Sequence, residues 1–257
     1  MEIRVDDIHY TYPGGVKALD GVSLTIQPGE ALALVGENGS GKTTLARHLN
    51  GLLRPQSGSV WIGDWRTDQR RPAQLASRVG YVFQNPDEQL FRRRVWDEVA
   101  FGPQNLGFPP GRVRQAAAQA LETLGLDPFA QLNPRDLGYS VRKQVALASV
   151  PAMQTPVLVL DEPTAGLDAG EQRRIGALIR ALQAGGRTVL TISHDMDFIA
   201  ETFERVVLIW QGQIRLDAPT RRFFEHGTLL DQSGLIQPQL VRLDQRLRRA
   251  NPPLTIE

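Results

Sequence analysis

Residues 31–44 read Ala31-Leu32-Ala33-Leu34-Val35-Gly36-Glu37-Asn38-Gly39-Ser40-Gly41-Lys42-Thr43-Thr44. Five apolar residues without a polar break predict a strand buried on both faces of a parallel sheet. Gly36, four residues, Gly41, Lys42 and Thr43 then follow at the spacing of a phosphate-binding loop. The glycines let backbone N–H groups turn inward into an anion-binding concavity without Cβ clashes. Lys42 adds a cation able to reach β- and γ-phosphates, and the Thr43 hydroxyl can ligate Mg²⁺. A helix is expected to start here, with Leu45, Leu49 and Leu52 on one face and its positive end toward the phosphates. The stretch reads as a nucleotide-binding loop.

The bulk numbers narrow the class. The 257 residues carry 29 Lys and Arg against 28 Asp and Glu, for a net charge of +1, which does not suggest a dominant nucleic-acid surface. No apolar run approaches the roughly 18 residues of a membrane span, and residues 206–210 are typical of the longest. The N-terminus, Met-Glu-Ile-Arg-Val-Asp-Asp, lacks the charge and apolar region of a signal peptide. Cysteine is absent, which excludes disulfides and thiolate metal sites. The expectation is a soluble cytoplasmic protein, peripheral if it serves a membrane.

Outward from the loop, Ile3–Tyr10 and Val22–Ile26 alternate as antiparallel strands do, and Pro28-Gly29 closes the second. Between them lies Tyr12-Pro13-Gly14-Gly15, where Tyr12 can stack on an adenine ring or simply cover a sheet edge. Ser59–Ile62 reads as another strand. Val79–Gln84 is a second buried strand with Gln84 at its carboxyl end, where open α/β sheets place ligands. Residues 86–152 read as a helical insert. It opens on Asn85-Pro86-Asp87-Glu88-Gln89-Leu90-Phe91 and the run Arg92-Arg93-Arg94, carries a stripe in Val113, Ala117, Ala120, Leu121 and Leu124, and ends in a helix over 137–152.

Val157 to Leu160 returns to the sheet and delivers Asp161-Glu162 at a strand tip. That position sets Asp161 beside the loop's Mg²⁺, directly or through water, and lets Glu162 orient a water for attack on the γ-phosphate. Ile175, Leu178, Ile179 and Leu182 mark a helix stopped by Gly185-Gly186. A further strand over 188–192 leads into Ser193-His194-Asp195, placing His194 on the same rim as Glu162. Residues 206–216 suggest a hairpin. Leu240, Leu243 and Leu247 suggest a closing amphipathic helix with Arg246, Arg248 and Arg249 exposed.

With the loop, Gln84, Leu160-Asp161-Glu162-Pro163-Thr164, Ala165-Gly166-Leu167-Asp168 and His194 in this order, the chain resembles the nucleotide-binding subunit of an ATP-binding cassette (ABC) transporter over essentially its whole length. The resemblance implies an α/β P-loop NTPase of ABC type: a mixed central sheet with flanking helices, an N-terminal antiparallel β subdomain and a helical subdomain inserted at about 86–152. It implies a cassette over 1–217 with a C-terminal extension over 218–257, and head-to-tail dimers that sandwich two ATP molecules. ATP and Mg²⁺ are the implied ligands. Tyr12 would stack on adenine, residues 36–44 would hold the phosphates, and Thr43, Gln84 and Asp161 would hold Mg²⁺. Glu162 would be the general base, His194 the γ-phosphate sensor, Gln84 the switch toward a transmembrane partner, and Asp168 would cross the dimer interface.

The segment Phe83-Gln84-Asn85-Pro86-Asp87-Glu88-Gln89-Leu90-Phe91 is similar to the energy-coupling factor group, which imports vitamins and cobalt or nickel ions. The tail Gly234-Leu235-Ile236-Gln237-Pro238-Gln239 is similar to that group's C-terminal extension. The group implies a transmembrane subunit whose coupling helix brings an arginine to Asp87, and a substrate-binding membrane subunit engaged indirectly. One motif departs. The family's Leu-Ser-Gly-Gly-Gln signature aligns with Leu137-Gly138-Tyr139-Ser140-Val141, with only the leucine kept. The implied partner is therefore a second cassette, a paralogue in a heterodimer, unless a shifted loop lets Ser140 replace the missing hydroxyl.

Other readings fit less well. A chromosome-associated ATPase of this superfamily needs a long coiled coil that about 50 residues cannot hold, and a translation factor would carry two cassettes. A GTPase needs Asn-Lys-x-Asp, which is absent. A nucleotide kinase would lack Gln84 and His194 in these places. Another type of ABC transporter, or a regulatory ABC ATPase outside transport, remains the alternative.

Overall fold

The computed structural model describes residues 1–239 and 241–243. In chain order its strands are β1 (Ile3–Thr11), β2 (Lys17–Ile26), β3 (Ala31–Val35), β4 (Ser57–Ile62), β5 (Trp65–Arg66), β6 (Val79–Val82), β7 (Val157–Asp161), β8 (Thr188–Ile192), β9 (Arg205–Trp210) and β10 (Gln213–Pro219). Its helices are α1 (Lys42–Leu49), α2 (Pro72–Leu75), α3 (Val95–Asn105), α4 (Pro110–Leu124), α5 (Tyr139–Ala152), α6 (Ala169–Ala184), α7 (Met196–Thr202), α8 (Thr220–Phe223) and α9 (Gly227–Gln232). The strands form a four-stranded antiparallel sheet, ordered β2-β1-β4-β5, and a six-stranded sheet, ordered β10-β9-β3-β8-β7-β6. The larger sheet is parallel except where β10 pairs antiparallel with β9. It is the mixed sheet that the family resemblance implied.

All five residues of β3 are buried, as the apolar run required. Ala31, Ala33 and Val35 face the cluster built with α3–α6, which includes Val99, Val145 and Ile179. Leu32 and Leu34 face the cluster built with β1, β2 and α1, which includes Ile3, Leu19 and Leu45. A strand with helices on one face and a second sheet on the other has no wet side, which is why its polar residues start only where it ends. The parallel register pairs Leu34 with Ile192, and Asp161 with Ile192. The carboxyl ends of β3, β7 and β8 therefore share one rim.

Several boundaries move. Leu45 and Leu49 are buried as expected, but α1 stops at Leu49, Gly51 takes a φ of 73°, and Leu52 is 49% exposed beyond the helix. The insert holds a helix, α3, that the sequence reading passed over, and α5 starts at Tyr139 after a 3₁₀ turn over Pro134–Asp136. Strand β10 runs through residue 217 to Pro219, and Phe223, Phe224, Leu230 and Leu235 join the helical-side core. Residues 241–243 are helical, with Leu243 exposed. Leu240, Leu247, Arg246, Arg248 and Arg249 lie outside the described residues. Among the described residues no helix is long and apolar enough to cross a membrane.

Candidate active site

The loop after β3 bends as glycine permits. Gly36, Gly39 and Gly41 have φ values of 153°, 82° and 110°. A Cβ on Gly36 would collide with the Ile209 carbonyl oxygen, and one on Gly41 would sit 2.5 Å from that of Ala18. Side chains there would fill the cradle or push the loop off the sheet. Lys42 begins α1 and folds back beneath the loop, its Nζ donating to the carbonyls of Gly36 and Glu37, each at 2.8 Å. Burial lowers the pKa of Lys42, opposed by the nearby carboxylates of Glu162, Asp161 and Glu37. Ser40 is buried, with its Oγ unpartnered among the described residues.

Tyr12 reaches the loop from the N-terminal sheet, its hydroxyl 3.1 Å from Thr44 Oγ1 and its ring edge-on to Tyr10 at 5.0 Å. A cleft of about 290 Å³ is lined by Tyr12, Asn38, Gly39, Gly41, Lys42, Thr43, Thr44, Gln84, Asp161 and Glu162, so ten of the expected site residues meet there. Glu37 instead accepts a hydrogen bond from Trp210 Nε1 at 3.1 Å. His194 joins the cleft residues through Glu162.

Asp161 carries the electrostatics of the rim. Its Oδ2 accepts from Thr43 Oγ1 and from Tyr81 Oη, both at 3.1 Å, while its buried Oδ1 has no hydrogen-bond partner among the described residues. Burial raises its pKa against the pull of those two hydroxyls, with the Glu162 charge adding to the rise and Lys143 opposing it. Burial and the Asp161 charge push the Tyr81 phenol far up, so it stays a neutral donor. Glu162 has a φ of 49° and donates its backbone N–H to the Ile192 carbonyl at 2.9 Å. Its Oε2 lies 2.9 Å from His194 Nδ1, on a ring 70% exposed. A Cβ-free cradle, a buried ammonium, a hydroxyl and a carboxylate with one bare oxygen fit a phosphate chain with a hard divalent cation.

The segment after β6 is stapled to α5. Gln89 accepts from Phe83 N at 3.1 Å and donates to Ala146 O at 2.8 Å and Ser149 Oγ at 2.9 Å. Lys143, fully buried, donates to Gln84 O at 2.5 Å and Phe83 O at 3.3 Å. Burial takes its pKa down to about 8. Asp87, exposed, lies 3.5 Å from Arg142 of the same chain.

The divergent signature is also held internally. Gly138 precedes α5 without a side-chain cap, and the Tyr139 ring lies where a Cβ on Gly166 would come within 2.7 Å of it. Ser140 Oγ donates to Glu171 Oε1 at 2.5 Å, and Gln144 Nε2 donates to the same oxygen at 2.8 Å. Glu171 Oε2 accepts from Asp168 N, and Asp168 Oδ1 accepts from Glu171 N, a capping box that opens α6. Ser140, the candidate substitute hydroxyl, is therefore bonded within the chain. Tyr81, Lys143 and Glu171 escaped the sequence reading, and Gln89 was read only as part of a motif, without its role as a staple. Only the fold shows where the polar end of each one points.

Residues 19–165 match the family model described as ABC transporter. A putative ABC transporter ATP-binding protein of Caldanaerobacter subterraneus is 40% identical over 245 residues, 95% of this chain and 43% of that protein. The chain thus spans less than half the length of that relative. The energy-coupling factor transporter ATP-binding protein EcfA of Methanothermobacter thermautotrophicus is 38% identical over 250 residues, 96% of this chain and 80% of that one. The solved structure of cbiO1 from Clostridium perfringens, part of the ABC transporter complex cbiONQ, superposes with a TM-score of 0.79 at 32% identity, covering 95% of this chain and 98% of that one. The loop, the rim and these likenesses agree: the chain belongs to the ABC transporter family and carries its ATPase domain.

Proposed function

We propose that this chain binds and hydrolyses ATP, with Mg²⁺, as a peripheral subunit on the cytoplasmic face of a membrane, and so powers import of a vitamin or of a cobalt or nickel ion. The observation that carries the enzymatic part is the rim itself, where the bare oxygen of Asp161 and the Glu162–His194 pair stand around one phosphate-binding loop. Tyr12 stacks on the adenine, and the amides of Gly36, Glu37, Asn38, Gly39, Ser40, Gly41, Thr43 and Thr44 surround the phosphates with Lys42 among them. Thr43, Gln84 and Asp161 would hold Mg²⁺, which when bound neutralises charge on the β- and γ-phosphates. Glu162 takes the proton of the attacking water, and His194 fixes its carboxylate through the 2.9 Å contact.

The importer assignment is supported by residues 83–91 and by the likeness to EcfA and cbiO1. In this reading residues 1–217 are the cassette and 218–257 an extension. The partners are a paralogous cassette, a transmembrane coupling subunit docking near Asp87, and a substrate-binding membrane subunit reached through it. The test is ATP binding and turnover by two variants. Lys42→Ala loses a charge-assisted contact of about 1.5–3 kcal/mol, which should weaken ATP binding roughly ten- to 150-fold. Glu162→Gln should bind ATP normally and turn it over slowly. Wild-type turnover by Glu162→Gln, in a preparation free of other ATPases, removes Glu162 from its role.

A further inference from the structure

Asp161 stands at the end of β7, and Tyr81 at the third position of β6, the neighbouring parallel strand. The register pairs Tyr81 with Val159, two residues before Asp161, so both side chains lie on the same face of the sheet. The Tyr81 ring packs into the core between the two sheets, tilted against Phe83 at 4.8 Å between centroids. Its hydroxyl donates to Asp161 Oδ2 at 3.1 Å, with the Arg47 side chain on its other side. Thr43 supplies the second donor to that same oxygen. Both donors on one oxygen leave Oδ1 buried and bare, and fix which way the carboxylate plane turns.

We propose that Tyr81 is a positioning residue for the divalent cation: its buried hydroxyl holds Asp161 by Oδ2 so that Oδ1 is presented to Mg²⁺ or to a water bound to it. The proposal rests on the reading of Asp161 as part of the metal site. Thr43 cannot do this work alone, because its hydroxyl is itself a candidate ligand and would have to serve the cation and the carboxylate together. The Tyr81 hydroxyl also meets the Arg47 side chain, but it is not a candidate ligand of the cation. Hydrogen bonds to metal-ligating groups orient them, and their loss typically costs about 10- to 100-fold in metal affinity.

Tyr81→Phe removes the hydroxyl and keeps the ring. The full chain would be loaded with ADP, and Mn²⁺ binding followed by electron paramagnetic resonance; ADP affinity in excess chelator would be measured alongside. Tyr81→Phe should weaken Mn²⁺ binding about tenfold and leave ADP affinity without metal unchanged. Asp161→Asn should also weaken Mn²⁺ binding, and adding Tyr81→Phe to it should cost nothing more. Mn²⁺ affinity of Tyr81→Phe equal to wild type, with Asp161→Asn impaired, overturns the role of Tyr81 alone. A full further loss from Tyr81→Phe in the Asp161→Asn background overturns it too, since the effect would then not pass through the carboxylate. A silent Asp161→Asn overturns the metal-site reading and this proposal with it.

Discussion

His48 sits wholly inside the protein on α1, with Nδ1 2.7 Å from the Thr44 carbonyl oxygen and the Tyr10 ring edge-on at 5.0 Å. Its ring is fully buried, so a proton on it would be a buried charge that the nearby carbonyls offset only in part. Burial lowers its pKa below the ordinary 6.5, against the smaller pull of the Thr44 and Arg54 carbonyls. The unfolded chain then takes up a proton below pH 6.5 that the folded chain refuses, and stability must fall as pH falls through that window. His48→Asn keeps a short polar side chain but does not titrate. The wild type's stability relative to His48→Asn, from urea unfolding, should therefore decline between pH 6.5 and 5, by at most about 1.4 kcal/mol per pH unit. A difference that stays flat over that range would mean His48 is protonated inside the fold. His194 differs in every respect: exposed, at a strand's end, and bonded to Glu162. The sequence reading singled out His194, because a histidine after a buried strand lies at the rim, and it left His48 unremarked.

Helix α5 is the element on which the site's outlying parts converge. Its Lys143 holds the backbone at Gln84, its Ala146 carbonyl and Ser149 hydroxyl hold Gln89, its Arg142 stands by Asp87, and its Ser140 and Gln144 meet Glu171 at the head of α6. These contacts differ in weight. Gln89→Ala would leave Phe83 N without its acceptor, at a cost of about 1–3 kcal/mol where such a group is left buried, while Ala146 O keeps the Ser149 hydroxyl as a donor. It should lower the urea midpoint. Asp87 is 55% exposed and its pairing with Arg142 is worth about 0–1 kcal/mol. Asp87→Ala should therefore barely move the midpoint, yet weaken assembly with the transmembrane subunit; unchanged complex yield and transport would rule out docking there. The sequence marked this helix, along with β3, β7 and β8, because long apolar runs and periodic stripes survive any context. It missed α3, where Gly102 and Pro103 break the stripe and three arginines precede it. Gly102 is explained only by packing, since a Cβ there would run into Met153. Tyr81 was legible as a strand residue and nothing more, because alternation assigns a face and not the aim of a hydroxyl.

At the scale of the whole molecule, the rim is half of a machine if the cassette pairs head to tail, and the question is what the chain offers in return. In the family, the signature serine donates to the γ-phosphate across the dimer interface, and the glycines after it let the backbone approach. Here Gly138 has no hydroxyl, Tyr139 brings a ring, and Ser140 is bonded to Glu171 of its own chain. Releasing Ser140 would also strip one donor from the carboxylate that caps α6, so the substitution of Ser140 for the missing serine works against the fold. Loss of one charge-assisted hydrogen bond costs about 1.5–3 kcal/mol, or roughly ten- to 150-fold in rate. A homodimer would carry the defect at both sites. A heterodimer with a paralogue bearing an intact signature would keep one good site, built from Lys42, Asp161 and Glu162 of this chain. With the two subunits co-expressed, Glu162→Gln here should abolish most ATP hydrolysis, while disabling the corresponding glutamate of the other cassette should cost little. Equal losses from the two changes, or vigorous hydrolysis by this chain as a homodimer, would sink the unequal pair.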